Sequence, residues 1–395
     1  MMLPEININD YNYNLPENRI AKYPLSNRGK SKLLVANSSQ KVITHHIFED
    51  VVDILPENTS LYINKTKVIS GRFYMKKETG GRAELLLVEP IEPSNDPQIA
   101  LQSTGSAVWK AIIGGKRIRV GSKLEEVNGQ LNAEILDKNA NEVKVKLTWN
   151  TGTFSELLLN AGVLPLPPYL NRESEEKDKE TYQTVFAQND GSIAAPTAGL
   201  HFTDEILGKL KLKGIKIREL TLHVGPGTFL PVSSHNVSEH KMHSEMFSID
   251  NSLLLDLKED IEENRKIVCV GTTSIRTMES LFWAGENIDS FLETGLVNQW
   301  SPYDNGNTIT PIEAINKLIV NSPKEIIQGK TELIIVPGYE FKFTDGLFTN
   351  YHVPKSTLLL LVSAFVGDMW TVIYDYAISN DFRFLSYGDS SLLWK

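Results

Sequence analysis

The chain has 395 residues, 41% of them hydrophobic, with forty basic against forty-nine acidic side chains and a formal net charge of −9. At about 150 residues per domain this length predicts two or three domains, each able to bury its own core. The composition excludes a disordered or fibrous chain, and the acidic balance excludes indiscriminate wrapping on nucleic acid while leaving room for one local basic face.

The first eighteen residues carry neither a basic n-region nor an apolar h-region, so no secretory signal is expected. From Ser31 to about Trp149 apolar residues recur mostly with period two. Segments 32–36 and 41–45 read as strands around Asn37-Ser-Ser-Gln40, a turn by composition, and 48–54 as a helix. Short strands are expected at 61–64, 68–74, 83–89, 107–113, 117–120 and 143–148, punctuated by glycine pairs and an Asn-Gly. This spacing predicts a small barrel or sandwich. After Trp149 the pattern becomes one of alternation. Helices are expected at 154–160, at 204–212 behind Thr203 as N-cap, and at 252–263, 273–283 and 356–366. Strands are expected at 215–224, 266–270 and 332–336. The longest apolar run, 358–366, is too short for a bilayer, which needs about twenty residues. Arg172–Glu180 reads as a solvated helix start or loop. The expected fold class is α/β. A large mixed α/β domain with a largely parallel sheet spans 1–66 and 150–395, and a small β-barrel at 67–149 is inserted in it.

Several groups of residues have a chemical reading. His201, His223, His235, His240 and His243 fall close together in the chain. On a helix, His240 and His243 would share a face with Glu245 nearby, as metal ligands do, but the H-E-x-x-H pattern is absent. Polar substrate contacts, surface positions and satisfied core histidines account for them equally. Gly271-Thr272-Thr273-Ser274 sits where a buried strand turns into a helix, a place that suits an anion, with Arg276 able to clamp a carboxylate or phosphate. Ordinary N-capping by Thr272 or Thr273 fits the same residues. Val224-Gly225-Pro226-Gly227 is neither a dinucleotide fingerprint nor a Walker loop, since position 230 is Leu; its glycines imply a special turn or close ligand approach. Lys110, Lys116, Arg117, Arg119 and Lys123 occur without an acidic residue between 107 and 123. They suit either a grip on a phosphate backbone or a solubilising edge strand. The lone Cys269 excludes an intrachain disulfide and a cysteine-cluster metal site.

Taken in order, ten segments resemble one family closely: LPLPPY (164–169), YQTVFA (182–187), AAPTAGLHF (194–202), TLHVGPGTFLPV (221–232), MHSE (242–245), VGTTSIR (270–276), PGYEFK (337–342), TNYHVPKST (349–357), LVSAF (361–365) and RFLSYGD (383–389). The family is the S-adenosylmethionine:tRNA ribosyltransferase-isomerases of the queuosine pathway. NKTKVISGR (64–72) departs from its pattern at Lys67 and Ser70-Gly71, and the 286–329 stretch is longer than expected. The resemblance implies transfer and isomerisation of the ribosyl group of S-adenosylmethionine onto 7-aminomethyl-7-deazaguanine at the wobble position of a tRNA. The product is epoxyqueuosine, with adenine and methionine released. S-adenosylmethionine is then a co-substrate, and no prosthetic group or metal is implied. A cytoplasmic, monomeric protein without membrane association is expected. Read onto this chain, the resemblance implies proton transfer by His243, Glu245 and His201, and an anchor for the polar end of S-adenosylmethionine at Thr272, Thr273, Ser274 and Arg276. Thr197, Gly199, Asn350 and His352 would line a nucleobase site. Asp389 would pair with the aminomethyl cation or cap a loop, and Lys110, Lys116, Arg117 and Arg119 would contact RNA. A paralogue with another substrate, a non-catalytic tRNA-binding paralogue and a metal-dependent hydrolase remain as alternatives.

Overall fold

A computed structural model describes residues 4–395 except 230, 231, 233, 305–307 and 322–324. Strands β1 (Lys32–Asn37), β2 (Val42–Ile47) and β3 (Thr59–Asn64) begin the main sheet. A short β4 (Thr66–Val68) leads into β5 (Arg72–Lys77), β6 (Arg82–Glu92), β7 (Thr104–Gly114), β8 (Lys123–Glu126), β9 (Asn132–Asn139) and β10 (Glu142–Thr153), which close a barrel. β11 (Asn189–Ser192) pairs in parallel with β4. The chain then rejoins the sheet through β12 (Lys216–Leu222), β13 (Glu245–Asp250), β14 (Lys266–Val270), β15 (Leu296–Val297), β16 (Ile326–Thr331), β17 (Gly346–Asn350) and β18 (Ser390–Trp394).

The ten-stranded sheet runs β15-β16-β13-β12-β3-β14-β17-β18-β1-β2. Its centre, β12-β3-β14-β17, is parallel throughout, and antiparallel neighbours flank it on both sides. β3 and β17 are buried along their whole length and β14 at all but its first residue, because helices cover both faces. Leu61, Ile63, Val268 and Val270 point toward helix Asp204–Leu212 and Phe202, whereas Tyr62, Ile267 and Cys269 point toward helices Asn251–Glu262 and Thr272–Glu286. The alternation is the two-residue period of a strand used on two cores at once.

The barrel has its own core around Phe73, Leu85, Leu87, Trp109 and Val145, and helix Phe154–Ala161 packs on it, with Phe154 5.4 Å from the Trp109 ring. Thr153 and Glu156 form the capping box that starts this helix.

Several expectations change. Segment 117–120 is not a strand: Gly115, Arg117 and Gly121 all have positive φ, and the chain turns there. β8 and β9 escaped notice because only alternate positions are buried and their outer positions are strongly polar. The 68–74 strand divides in two, since β4 pairs with β11 while β5 enters the barrel. Segment 332–336 is buried but irregular, and the strand lies just before it as β16. Arg172–Glu180 is not simply solvated. Arg172 grips the buried Asp178 with both terminal nitrogens at 2.7 Å, and Tyr387 Oη donates to the same carboxylate at 3.0 Å. No single helix among the described residues is long and apolar enough to cross a membrane; Thr357–Val366 bends by 111° into Met369–Ser379.

Candidate active site

The carboxyl ends of parallel strands are where an open α/β sheet leaves a crevice, because the connections diverge to opposite faces there. In this sheet β12, β3, β14 and β17 end together, at Leu222, Asn64, Val270 and Asn350. Two adjoining cavities, which share Leu358 in their walls, open there.

The first lies between Ala194–Ala198, the Gly271 turn and the segment after β17, with Tyr169 and Ser386 closing it. Gly271 takes φ +92°, which an L side chain resists, and this sharp turn sets Thr272 and Thr273 at the cavity wall. The Thr273 hydroxyl is buried with no partner among the described residues. Thr197 donates to Asn350 Oδ1 at 2.9 Å, and Asn350 Nδ2 lies 3.3 Å from His201 Nε2. His352 is held through Nε2 by the Thr349 hydroxyl at 2.8 Å, and burial pushes its pKa down to about 3, so it stays neutral.

The second cavity, about 380 Å³, is lined by Gly227, His240, His243, Glu245, Arg276, Leu333–Ile335 and Leu361. Arg276 leaves helix Thr272–Glu286 and is buried. Its Nη1 pairs with Glu245, at the first position of β13, and its Nε donates to the Leu333 carbonyl at 3.2 Å. Nη2 has no partner among the described residues. Glu245 also accepts from the Gly225 amide at 3.2 Å, which ties the glycine turn to the same ion pair. His243 is exposed at the lip, and a Cβ on Gly227 would stand 2.1 Å from its ring, so a side chain there would displace the imidazole. His240 is pushed below the usual imidazole range by burial and by His243.

The structure thus brings His243, Glu245 and Arg276 around one cavity, and Thr197, Thr272, Thr273, Asn350 and His352 around its neighbour. Other expected residues stand elsewhere. His201 is fully enclosed, with Ser31 Oγ 2.7 Å from its Nδ1 and Phe48 against its face, and it reaches neither cavity. Ser274 donates back to the carbonyl of Val270, the last residue of β14, at 2.8 Å. Gly199 is packed against Phe186, whose ring would meet a Cβ at 2.6 Å. Asp389 accepts from the amides of Arg383 at 2.8 Å and Lys32 at 3.2 Å; it fastens a loop. Lys110 faces Glu142 at 3.3 Å, while Lys116, Arg117 and Arg119 sit in the turn at the far end of β7. Segment 240–244 is a loop rather than a helix, and among the described residues no group of three His, Cys, Asp or Glu is placed to hold a metal. Of the TLHVGPGTFLPV segment, residues 230 and 231 lie outside the described residues, as do 305–307 and 322–324 of the long 286–329 stretch.

One contributor left no sequence signal. Gln299, within that long stretch, accepts from the Met242 amide at 2.9 Å and donates to the His240 carbonyl at 2.7 Å, holding the histidine loop over the cavity. A single glutamine far from any motif carries no local mark of such a role. Lys67, where the family pattern has Arg, pairs with Asp190 at 3.5 Å and lines neither cavity.

The family model and the curated relatives point to one family. The family model described as queuosine biosynthesis protein matches residues 8–393. A curated relative from Sulfurihydrogenibium sp., named S-adenosylmethionine:tRNA ribosyltransferase-isomerase, is 38% identical over 389 residues, which is 98% of this chain and 99% of its own. A relative of the same name from Staphylococcus saprophyticus is 37% identical over 98% of this chain and all of its own. The crystal structure of the S-adenosylmethionine tRNA ribosyltransferase from Thermotoga maritima is 27% identical, covering 97% of this chain and 99% of that one, with a TM-score of 0.48.

Proposed function

This chain belongs to the queuosine biosynthesis protein family, and on that premise we infer that it is an S-adenosylmethionine:tRNA ribosyltransferase-isomerase whose chemistry runs in the paired cavities. Its acceptor is 7-aminomethyl-7-deazaguanine at the tRNA wobble position, and adenine and methionine leave. The reaction needs a base beside the sulfonium, a proton for the departing adenine and a pocket that keeps the attacking amine in reach.

The observation that carries the placement is Arg276. A buried guanidinium with one nitrogen on Glu245, one on a carbonyl and one without a partner is an incomplete fork, and a carboxylate completes it. The methionine end therefore lies in the larger cavity. The adenosine or deazaguanine ring lies in the smaller one against Thr197, Thr272, Thr273, Asn350 and His352. His243, the exposed imidazole at that cavity, transfers the proton. Glu245 is engaged by Arg276 and acts as a positioning residue, and His201 stays neutral in the wall. The barrel, as a unit of its own at 67–149, contacts the RNA backbone through Lys116, Arg117 and Arg119. The chain works as a cytoplasmic monomer with S-adenosylmethionine as co-substrate.

The test mixes the protein, S-adenosylmethionine and tRNA bearing the deazaguanine precursor, and measures adenine release and the nucleoside mass. Arg276→Lys keeps a charge beside Glu245 but loses the fork. It is expected to raise KM for S-adenosylmethionine by about 30–100-fold, equivalent to ~2–3 kcal/mol of charged hydrogen bonding. An unchanged KM removes the carboxylate assignment.

A further inference from the structure

A third recess lies beyond Ser386, which lines both it and the smaller cavity. Its wall includes Arg28, Ser31, His201, Arg383 and Tyr387. The charges there do not cancel. Arg28 donates only to carbonyls: Nη1 to Gln183 at 2.6 Å, and Nη2 to Glu180 at 3.0 Å and Thr181 at 3.1 Å. Among the described residues no carboxylate pairs with it. Arg383 does have Asp389, at 3.2 Å, but that carboxylate is already shared with the backbone amides of Lys32 and Arg383. A second carboxylate nearby, Asp178, is taken by Arg172 and Tyr387. His201 stays neutral there: burial first, then Arg383 and Arg28, push its pKa down to about 3. Arg28 has its terminal nitrogens on three carbonyls, so it offers the recess its charge rather than a free fork; with Arg383 in the same wall the recess beside the smaller cavity is positive and suits a phosphate.

We propose that the recess between Arg28 and Arg383 binds one backbone phosphodiester of the tRNA, next to the nucleotide held in the adjoining cavity. This rests on tRNA being the substrate. The carboxylate of S-adenosylmethionine is accounted for by Arg276 in the other cavity, whereas each nucleotide brings a phosphate on either side. The contact positions the RNA without reading a base.

The experiment measures Kd by anisotropy for an anticodon stem-loop in which each linkage near the wobble nucleotide is replaced singly by an uncharged methylphosphonate. With the wild-type protein one linkage is expected to weaken binding about tenfold and its neighbours much less. Arg28→Gln, which removes the charge and is checked for an unchanged urea unfolding midpoint, is expected to weaken the all-phosphate stem-loop about tenfold. It is also expected to lose sensitivity to that linkage and to lower the salt slope by about 0.7. Equal effects at every linkage in the wild-type protein overturn the proposal without reference to any variant. So does full sensitivity persisting in Arg28→Gln. If inorganic phosphate binds in a manner lost in Arg28→Gln and yet does not compete with the stem-loop, the recess takes a small anion only and the proposal fails. Adenine release is followed separately: its absence alongside a linkage-specific loss of binding counts against the enzymatic reading and leaves the phosphate site standing.

Discussion

Two regions of this molecule set a histidine near a guanidinium, and they use the pair in opposite ways. At the larger cavity His243 is exposed at the lip and Arg276 is buried beneath it, neutralised on one side by Glu245 and unfilled on the other. At the recess the order is reversed. His201 is buried and its hydrogen bonds are taken by Ser31 and Asn350, while Arg28 is half-buried with no carboxylate partner among the described residues. On the proposed reading the same two residue types yield a proton carrier over a carboxylate clamp in one place and a neutral strut behind a phosphate site in the other. Burial makes the difference, because desolvation removes the charged form of an imidazole while a guanidinium keeps its charge.

The contrast is broken most severely by exchanging the two histidines' fates. His243→Asn is expected to lower kcat by about 10²–10⁴-fold, the usual worth of a positioned acid–base group, with stability within ~0.5 kcal/mol of wild type because the side chain is exposed. His201→Asn is expected to do the reverse, costing about 1–3 kcal/mol in urea unfolding while the adenine-release rate of the folded fraction stays far closer to wild type. A loss of turnover in His201→Asn larger than in His243→Asn would invert the assignment.

The next effect is on pH. Burial holds His201 and His352 at about 3 and His223 at about 4, below the ordinary value of 6.5. Between those values the unfolded chain binds protons that the folded chain does not. Stability is therefore full above pH 6.5 and falls as the pH drops from there toward 4, by about 1.4 kcal/mol per pH unit for each such histidine. Unfolding midpoints between pH 7 and 5 should show this slope, and His201→Asn should reduce it by one proton. An unchanged slope would mean His201 is charged in the folded protein.

The smallest effect concerns the barrel. On the proposed reading exposed cations at its tip meet a phosphate from solvent, whereas Arg28 does so from a partly enclosed wall. Arg117→Ser with Arg119→Ser is expected to lower the salt slope of tRNA binding by at most about one per lost contact and leave KM for S-adenosylmethionine unmoved. Salt-dependent binding that does not change removes the barrel turn from the RNA surface.

Much of the fold was legible because its signals are local. Strands 61–64 and 266–270 and the helix after Thr203 carry their period, caps and breakers within a dozen residues. Where the signal was weak the reading failed for the same reason: β8 and β9 present too few apolar positions, and 332–336 is apolar because it is buried, not because it pairs. The site was legible as a set of residue types and family segments, including the Gly271 turn and Arg276.

By itself the sequence determined the alternation of strands and helices, the closing of a separate apolar set into a barrel, the family, and which titratable side chains exist near the strand ends. Tertiary structure alone decided what those side chains are. Glu245 meets Arg276 across thirty-one positions, Tyr387 reaches Asp178 across more than two hundred, and Gln299 holds a loop nearly sixty residues away. Periodicity depends on neighbours in the chain, whereas the charge and freedom of a polar group depend on which distant atoms replace its water.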